Sequence, residues 1–266
     1  MVMEIGRPLS LQVTRVLIMH RFYVAPECIG DEFIEVGGQV ANQSSKVLRL
    51  QPRDQVTFFD NSGYEYIVEL ISVTQHLLNG RIVHRAIGSS DPRIHLTLYQ
   101  GIMKANKFET VLQKGTEIGI SSFVPVLCSR SVPSLSRDWV NNRYLRWSNI
   151  IVEASEQSGR TCIPTLEAPM SFQEVIVAIK GNGIMAWEGE TDKGLRECLV
   201  ESIHGSGSQN YSLFVGPEGG FAIEEVQQAK SAGFVTVNLG KRILRAETAG
   251  LAMAMAAMYE FGELGN

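Results

Sequence analysis

Cysteine is scarce in this 266-residue chain, and the four present are scattered. Cys28, Cys128, Cys162 and Cys198 show no C-x-x-C spacing, so neither a zinc site nor a disulfide framework is expected. The chain reads as reduced and cytoplasmic. Long apolar runs are also missing. None approaches 18 residues, which argues against a membrane-spanning helix. The run Val16-Leu17-Ile18-Met19 is too short for the apolar part of a secretory signal, and it follows Glu4, Arg7 and Arg15. Positive charge is not in excess. The net charge of −4 argues against indiscriminate binding to nucleic acid but leaves room for a local basic surface. His20, His76, His84, His95 and His204 form no spaced cluster, so a metal site or histidine triad has no support.

What is present suits a globular protein. Apolar residues make up 44% and charged ones 20%, enough for a sizeable core without metals or disulfides. The length predicts one large or two modest domains. From Arg21 to about Ile87 the chain shows short β-rich runs, "HRFYV", "KVLRL", "QVTFFD", "YEYIVELISV" and "GRIVHRAI". Asn61-Ser62-Gly63 and Asn79-Gly80 fall between such runs and read as hairpin turns. The pattern predicts a small barrel, an architecture that often serves nucleic-acid binding. "GSSDPR", residues 88–93, is the expected linker.

Beyond the linker the pattern changes to alternating strand and helix. "IHLTLYQGI", "SSFVPVL", "GIMAWEG", "YSLFVG" and "FVTVNLG" read as strands. "KANKFETVLQKGTEIG", "RYLRWSNIIVEASEQSG", "AIEEVQQAKSAG" and "ETAGLAMAMAAMYEFG" read as helices. This alternation predicts an α/β fold, a mostly parallel sheet with helices on both faces.

Two loops near the carboxyl terminus carry the chemistry. "LFVGPEGGF" runs a strand into Gly216-Pro217-Glu218-Gly219-Gly220, and "NLGKRILRAETA" follows about twenty residues later. Ligands gather at the carboxyl ends of strands in open α/β sheets, so the two loops are expected to wall one pocket. Neither nucleotide motif fits, since the glycines lack G-x-G-x-x-G spacing and no Lys-Ser or Lys-Thr follows them. Glu218 at the loop's centre would repel phosphate. The loop suits something uncharged or cationic.

These loops, with "RFYV", "KVLRL", "KANKFETVLQKGTEIG" and "VEASEQSGR" before them, resemble the bacterial 16S ribosomal RNA uridine-N3 methyltransferases, the RsmE family of the SPOUT superfamily. The resemblance covers Met19 to the end. Residues 1–18 depart from it and read either as a real extension or as sequence upstream of a functional start at Met19. The resemblance implies a PUA-like β-barrel over 19–90 that engages RNA and a trefoil-knotted methyltransferase domain over 91–266. It also implies S-adenosylmethionine, which carries a sulfonium cation and no phosphate, as cofactor. Gly216, Pro217, Glu218, Gly219 and Gly220 would border its ribose and methionine. Backbone groups of Leu239, Gly240, Ile243 and Leu244, next to Arg245, would read its adenine. Trp187 and Glu188 occupy the place of the first knot loop.

Methylating uracil N3 requires loss of the imide proton and control of negative charge on the uracil oxygens. Arg245 is the candidate cation. Glu218 is either a base or a cap for the next turn. Glu247 reads first as a carboxylate suited to the first turn of a helix. Lys104, Lys107 and Lys114 form either a solvated helix face or contacts to ribosomal RNA phosphates. Arg21, Arg49 and Arg53 are further RNA candidates, and the resemblance adds Gln157 and Arg160, although Glu156 and Arg160 could simply pair. The closing helix is apolar on all sides and needs cover on all sides. A homodimer joined through it is therefore expected, in keeping with the resemblance.

Overall fold

A computed structural model describes residues 19–131, 140–179, 183–205 and 210–265; His204 has no described side chain and residues 1–18 lie outside. The amino-terminal sheet has five strands, β1 (Arg21–Tyr23), β2 (Phe33–Gly37), β3 (Gln55–Phe59), β4 (Tyr64–Val73) and β5 (Leu77–Ile87). They are ordered β1-β3-β4-β5-β2, so β1 and β2 are its edges. Only the β1–β3 pair is parallel within this sheet. Phe22, Ile34, Val36, Val56, Phe58, Val68, Leu70 and Leu78 fill one core, placed there by period-2 alternation along each strand.

Two expectations fail in this sheet. "KVLRL" is not a strand; α1 (Gly38–Asn42) runs into a π-helical turn over Gln43–Val47. Asn79-Gly80 is not a turn but lies inside β5. The true hairpin turn is at Thr74, whose Oγ1 accepts the Leu77 N–H at 2.9 Å. Gly80 is there for space, because a Cβ on it would lie 2.3 Å from Val68 Cγ1.

The second sheet is built from β6 (His95–Gly101), β7 (Ser122–Leu127), β8 (Thr165–Leu166), β9 (Met170–Ser171), β10 (Gly183–Ala186), β11 (Asn210–Val215) and β12 (Val235–Val237). It runs β12-β10-β11-β6-β7-β8, with β9 also on β7, and every pairing is parallel. Helices that accompany it among the described residues include α2 (Ala105–Ile118), α3 (Tyr144–Ser158), α4 (Phe172–Ala178), α5 (Leu195–Gly205), α6 (Ile223–Ser231) and α7 (Ala246–Glu260). Leu96, Leu98, Leu213 and Val237 face a core shared with α2, α3, α5 and α7. Val126, Met185 and Phe214 face the other, shared with α4 and α6. Parallel strands covered on both faces are why these segments read as continuous apolar runs.

The closing helix α7 packs on α2, α5, β6 and β11. Gly250 lets it lie flat, since a Cβ there would come within 2.6 Å of Gln100 Oε1. Its opposite side is left uncovered by the described residues, with Met255 46% and Tyr259 68% exposed. The two sheets are joined by polar contacts around the end of α3. Glu156 accepts the Tyr23 N–H at 2.9 Å, and Asn61 accepts the Ile163 N–H at 2.6 Å.

Candidate active site

A cavity of about 800 Å³ opens at the carboxyl ends of β10, β11 and β12. This is where a parallel sheet leaves room for a ligand, and the volume lies in the usual range for small-molecule sites. The expected loops meet there. Gly216–Gly220 form one wall and Leu239–Arg245 another, with Trp187 and Glu188 beside them.

The glycine loop is held from below. Gln100 at the end of β6 is fully buried and donates from Nε2 to Gly216 O at 3.3 Å. Gly101 follows, and a Cβ on it would meet Pro217 N at 2.3 Å and Gly216 C at 2.6 Å. Backbone therefore lies on backbone. Gly220, at φ 66°, closes a tight turn by donating to Pro217 O at 2.9 Å. A Cβ on Gly220 would come within 2.8 Å of Glu188 Oε1, so that carboxylate faces the loop closely. The first turn of α6 is already filled by carboxylates. Glu225 accepts Ala222 N–H at 2.9 Å and Ser129 N–H at 2.8 Å, and Glu224 precedes it. The capping role considered for Glu218 thus belongs to Glu225, and this helix end offers no phosphate seat.

The second wall begins at Asn238, which is tied to Lys193 O through both its backbone and side-chain N–H groups. Gly240 turns the chain at φ 96°. Among the described residues, the backbone of Leu239, Ile243 and Leu244 makes no intrachain hydrogen bond, leaving donors and acceptors free for a ligand. Ile243 is 88% exposed at the lip. Arg245 caps α7 from an extended backbone conformation, and its exposed side chain makes no ion pair among the described residues.

Charge around the cavity is mixed. Glu188, Glu190, Glu218 and Glu247 line it together with Lys107, Lys241, Arg242 and Arg245. Glu190 is held ionised, its carboxyl pulled down to about 2 by the Thr236 hydroxyl, then the Asp192 N–H, with Lys230 assisting against desolvation. Lys107, read either as part of a solvated helix face or as a contact to RNA phosphate, reaches into the cavity between Glu218 and Glu247. Sequence reading passed over Glu190, Thr191 and Asn238, although the acidic run after β10 was a usable signal.

The RNA candidates divide. Arg49, Arg53, Lys104 and Gln157 are exposed, and Arg49 and Arg53 hold positive φ of 55° and 78°. Lys114 pairs with Glu117 at 2.8 Å. Arg160 does not line the cavity, which corrects the expectation for it. It is 4% exposed, bonded to Asp91 at 3.0 Å and to Thr116 O and Ile120 O at the end of α2. Nor does it pair with Glu156. Arg21 is likewise engaged, with Glu65 at 2.7 Å and Arg160 O at 3.1 Å.

Fold and site together define an α/β protein with a ligand pocket at the carboxyl edge of a parallel sheet. An RNA methyltransferase domain model matches residues 90–258. The ribosomal RNA small subunit methyltransferase E of Bacillus subtilis is 30% identical over 230 residues, spanning 85% of this chain and 89% of that protein. The Aquifex aeolicus protein of that name is 27% identical, over 90% of this chain and 99% of its own length. A crystal structure of ribosomal RNA small subunit methyltransferase E from Neisseria gonorrhoeae, bound to S-adenosyl methionine, is 31% identical. It superposes with a TM-score of 0.79 over 91% of this chain and 98% of that one. This chain belongs to the ribosomal RNA small subunit methyltransferase E family.

Proposed function

We propose that this protein uses S-adenosylmethionine to methylate N3 of a uridine in 16S ribosomal RNA of the small subunit. The observation that carries the reading is the meeting of Gly216–Gly220 and Leu239–Arg245 in one cavity, with Glu188 and Glu218 beside the glycine loop. The residues fit the cofactor. Glycine turns admit close approach, the unpaired backbone groups of Leu239, Ile243 and Leu244 suit adenine, and carboxylates suit a cation. When bound, the cofactor supplies a methyl group already activated by positive sulfur. The chain's own task is then alignment. Trp187, Glu188 and the two loops hold the donor. Arg245 steadies negative charge growing on the uracil oxygens, and Glu218 is the candidate base.

The same reading includes a trefoil-threaded carboxyl-terminal domain, a PUA-like RNA-engaging barrel, and action in the cytoplasm. The domain boundaries proposed with it are 19–90 and 91–266. Arg49, Arg53, Lys104 and Gln157 supply its exposed polar contacts to RNA. A homodimer would cover the open face of α7, where Leu251, Ala252, Met255 and Tyr259 share one side.

Calorimetry with S-adenosylmethionine and with ATP tests the pocket. Binding of the first and not the second is expected, and tight ATP binding instead would mean a nucleotide-dependent enzyme. Methyl-label transfer to small subunits tests the reaction, because an RNA-binding assembly factor would incorporate none.

A further inference from the structure

Lys107, Glu218 and Glu247 stand together in the cavity, although the chain brings them from three different elements. Lys107 Nζ lies 3.2 Å from Glu218 Oε1 and 3.7 Å from Glu247 Oε2. The first distance holds the ammonium in place, while the second is an ion pair too long to be a hydrogen bond. Glu247 Oε2 is consequently a buried carboxylate oxygen with no hydrogen-bond partner. Buried polar atoms are almost always satisfied, so an exception in a ligand cavity points to a donor that arrives with the ligand.

We propose that Lys107 and Glu247 form a donor–acceptor pair that reads the imide edge of the target uracil, with Glu247 accepting the N3 proton. The inference rests on the uridine-N3 reading and moves the base from Glu218 to Glu247. The imide edge presents one N–H between two carbonyl oxygens. An acceptor opposite the N–H and a donor opposite a carbonyl are its complement, and this pair supplies both. Lysine carries three rotatable donors on a flexible stem, so its ammonium can swing from between the carboxylates onto a uracil oxygen. That movement opens Glu247 Oε2 to the N3–H. Glu218 is then a positioning residue that keeps Lys107 at the site, and the second uracil oxygen is left to Arg245.

The pair also explains discrimination between pyrimidines. Cytosine carries a lone pair at N3 and an amino group at the neighbouring carbon. It would set acceptor against Glu247 and donor against whichever of Lys107 and Arg245 faces that carbon. Sites built on hydrogen bonds reject such analogues strongly, because their own polar groups are left unpaired.

The step balances. The N3–H electron pair stays on nitrogen and forms the new N–CH₃ bond while the proton passes to Glu247. The methyl–sulfur bond breaks with its pair going to sulfur, which becomes a neutral thioether. The carboxylic acid then returns its proton to water.

The test uses the intact protein, unmodified small subunits and labelled S-adenosylmethionine across pH, with cofactor affinity measured in parallel. Glu247→Gln should lower kcat about 10²–10⁴-fold and leave cofactor affinity unchanged. Its rate should climb with pH as hydroxide replaces the missing base, so the gap to the native protein narrows in alkali. Lys107→Arg should retain most of the transfer and Lys107→Met should lose kcat. Native kcat and pH profile in Glu247→Gln would overturn the assignment, as would loss of cofactor binding in that variant. Absence of N3 methylation by the unaltered protein would instead overturn the parent reading.

Discussion

Replacing Gly101 by alanine tests the backbone contact on which the glycine loop rests. A Cβ there would meet Pro217 N at 2.3 Å, Gly216 C at 2.6 Å and Pro217 Cδ at 2.7 Å. Ordinary contact begins near 3.4 Å, so the loop must retreat by roughly 1 Å, and no flexible side chain is available to yield. Overpacking of this kind costs about 1–3 kcal/mol. For a chain of this size that lowers the melting temperature by roughly 2–4 °C per kcal/mol. The effect on function should be larger in proportion, since a displacement of ~1 Å at a positioning element can cost about 10²-fold in rate. Thermal unfolding and calorimetric titration of S-adenosylmethionine read the two effects. Gly194→Ala is the control, because nothing lies within 4 Å of its Cβ position and its φ is not in the left-handed region. If Gly101→Ala binds cofactor and melts like the native protein, the seating of the loop on β6 is wrong.

Three further outcomes are expected. Arg160→Met should destabilise the protein by about 1–3 kcal/mol in urea unfolding, because Asp91 Oδ1 and Ile120 O lose their donor while Asp91 Oδ2 keeps Thr161 and Cys162, whereas a surface role would leave the midpoint unchanged. Thr236→Val removes the main support of the Glu190 carboxylate, which sits at about 2 against an ordinary 4.5. A depressed carboxylate contributes its stability above the unfolded value and loses it as pH falls. The native protein's advantage over this variant should therefore be full above pH 4.5 and shrink towards pH 2; a pH-independent difference would refute the assignment. Met255→Glu with Tyr259→Glu should give monomers by light scattering where the native chain gives dimers, and a monomeric native chain would refute the dimer.

Much of this was legible where one residue pattern has one physical solution. The period of 3.6 in "KANKFETVLQKGTEIG" places Phe108, Val111 and Leu112 in the core, and Gly119 ends that helix with φ 115°. Both pocket loops were legible because glycine after a buried strand has few other uses. Helix α4 was missed despite the reciprocal Ser171–Glu174 cap that announces it. Asn79-Gly80 misled because glycine serves close packing as well as turns, and only the neighbouring Val68 decides between them. Arg160 could not be read as buried. Its partners, Asp91 and the carbonyls of Thr116 and Ile120, are distant in sequence, and arginine is almost never buried without such partners. Lys107 escaped for the same reason, since its place between Glu218 and Glu247 depends on how α2 crosses the sheet.

The most direct measurement is to react the protein with labelled S-adenosylmethionine and small subunits lacking the modification, then map the label within the RNA. The account predicts one labelled uridine in 16S RNA, carrying the methyl group on N3. Label on another atom, or none at all with active cofactor and intact subunits, would contradict it.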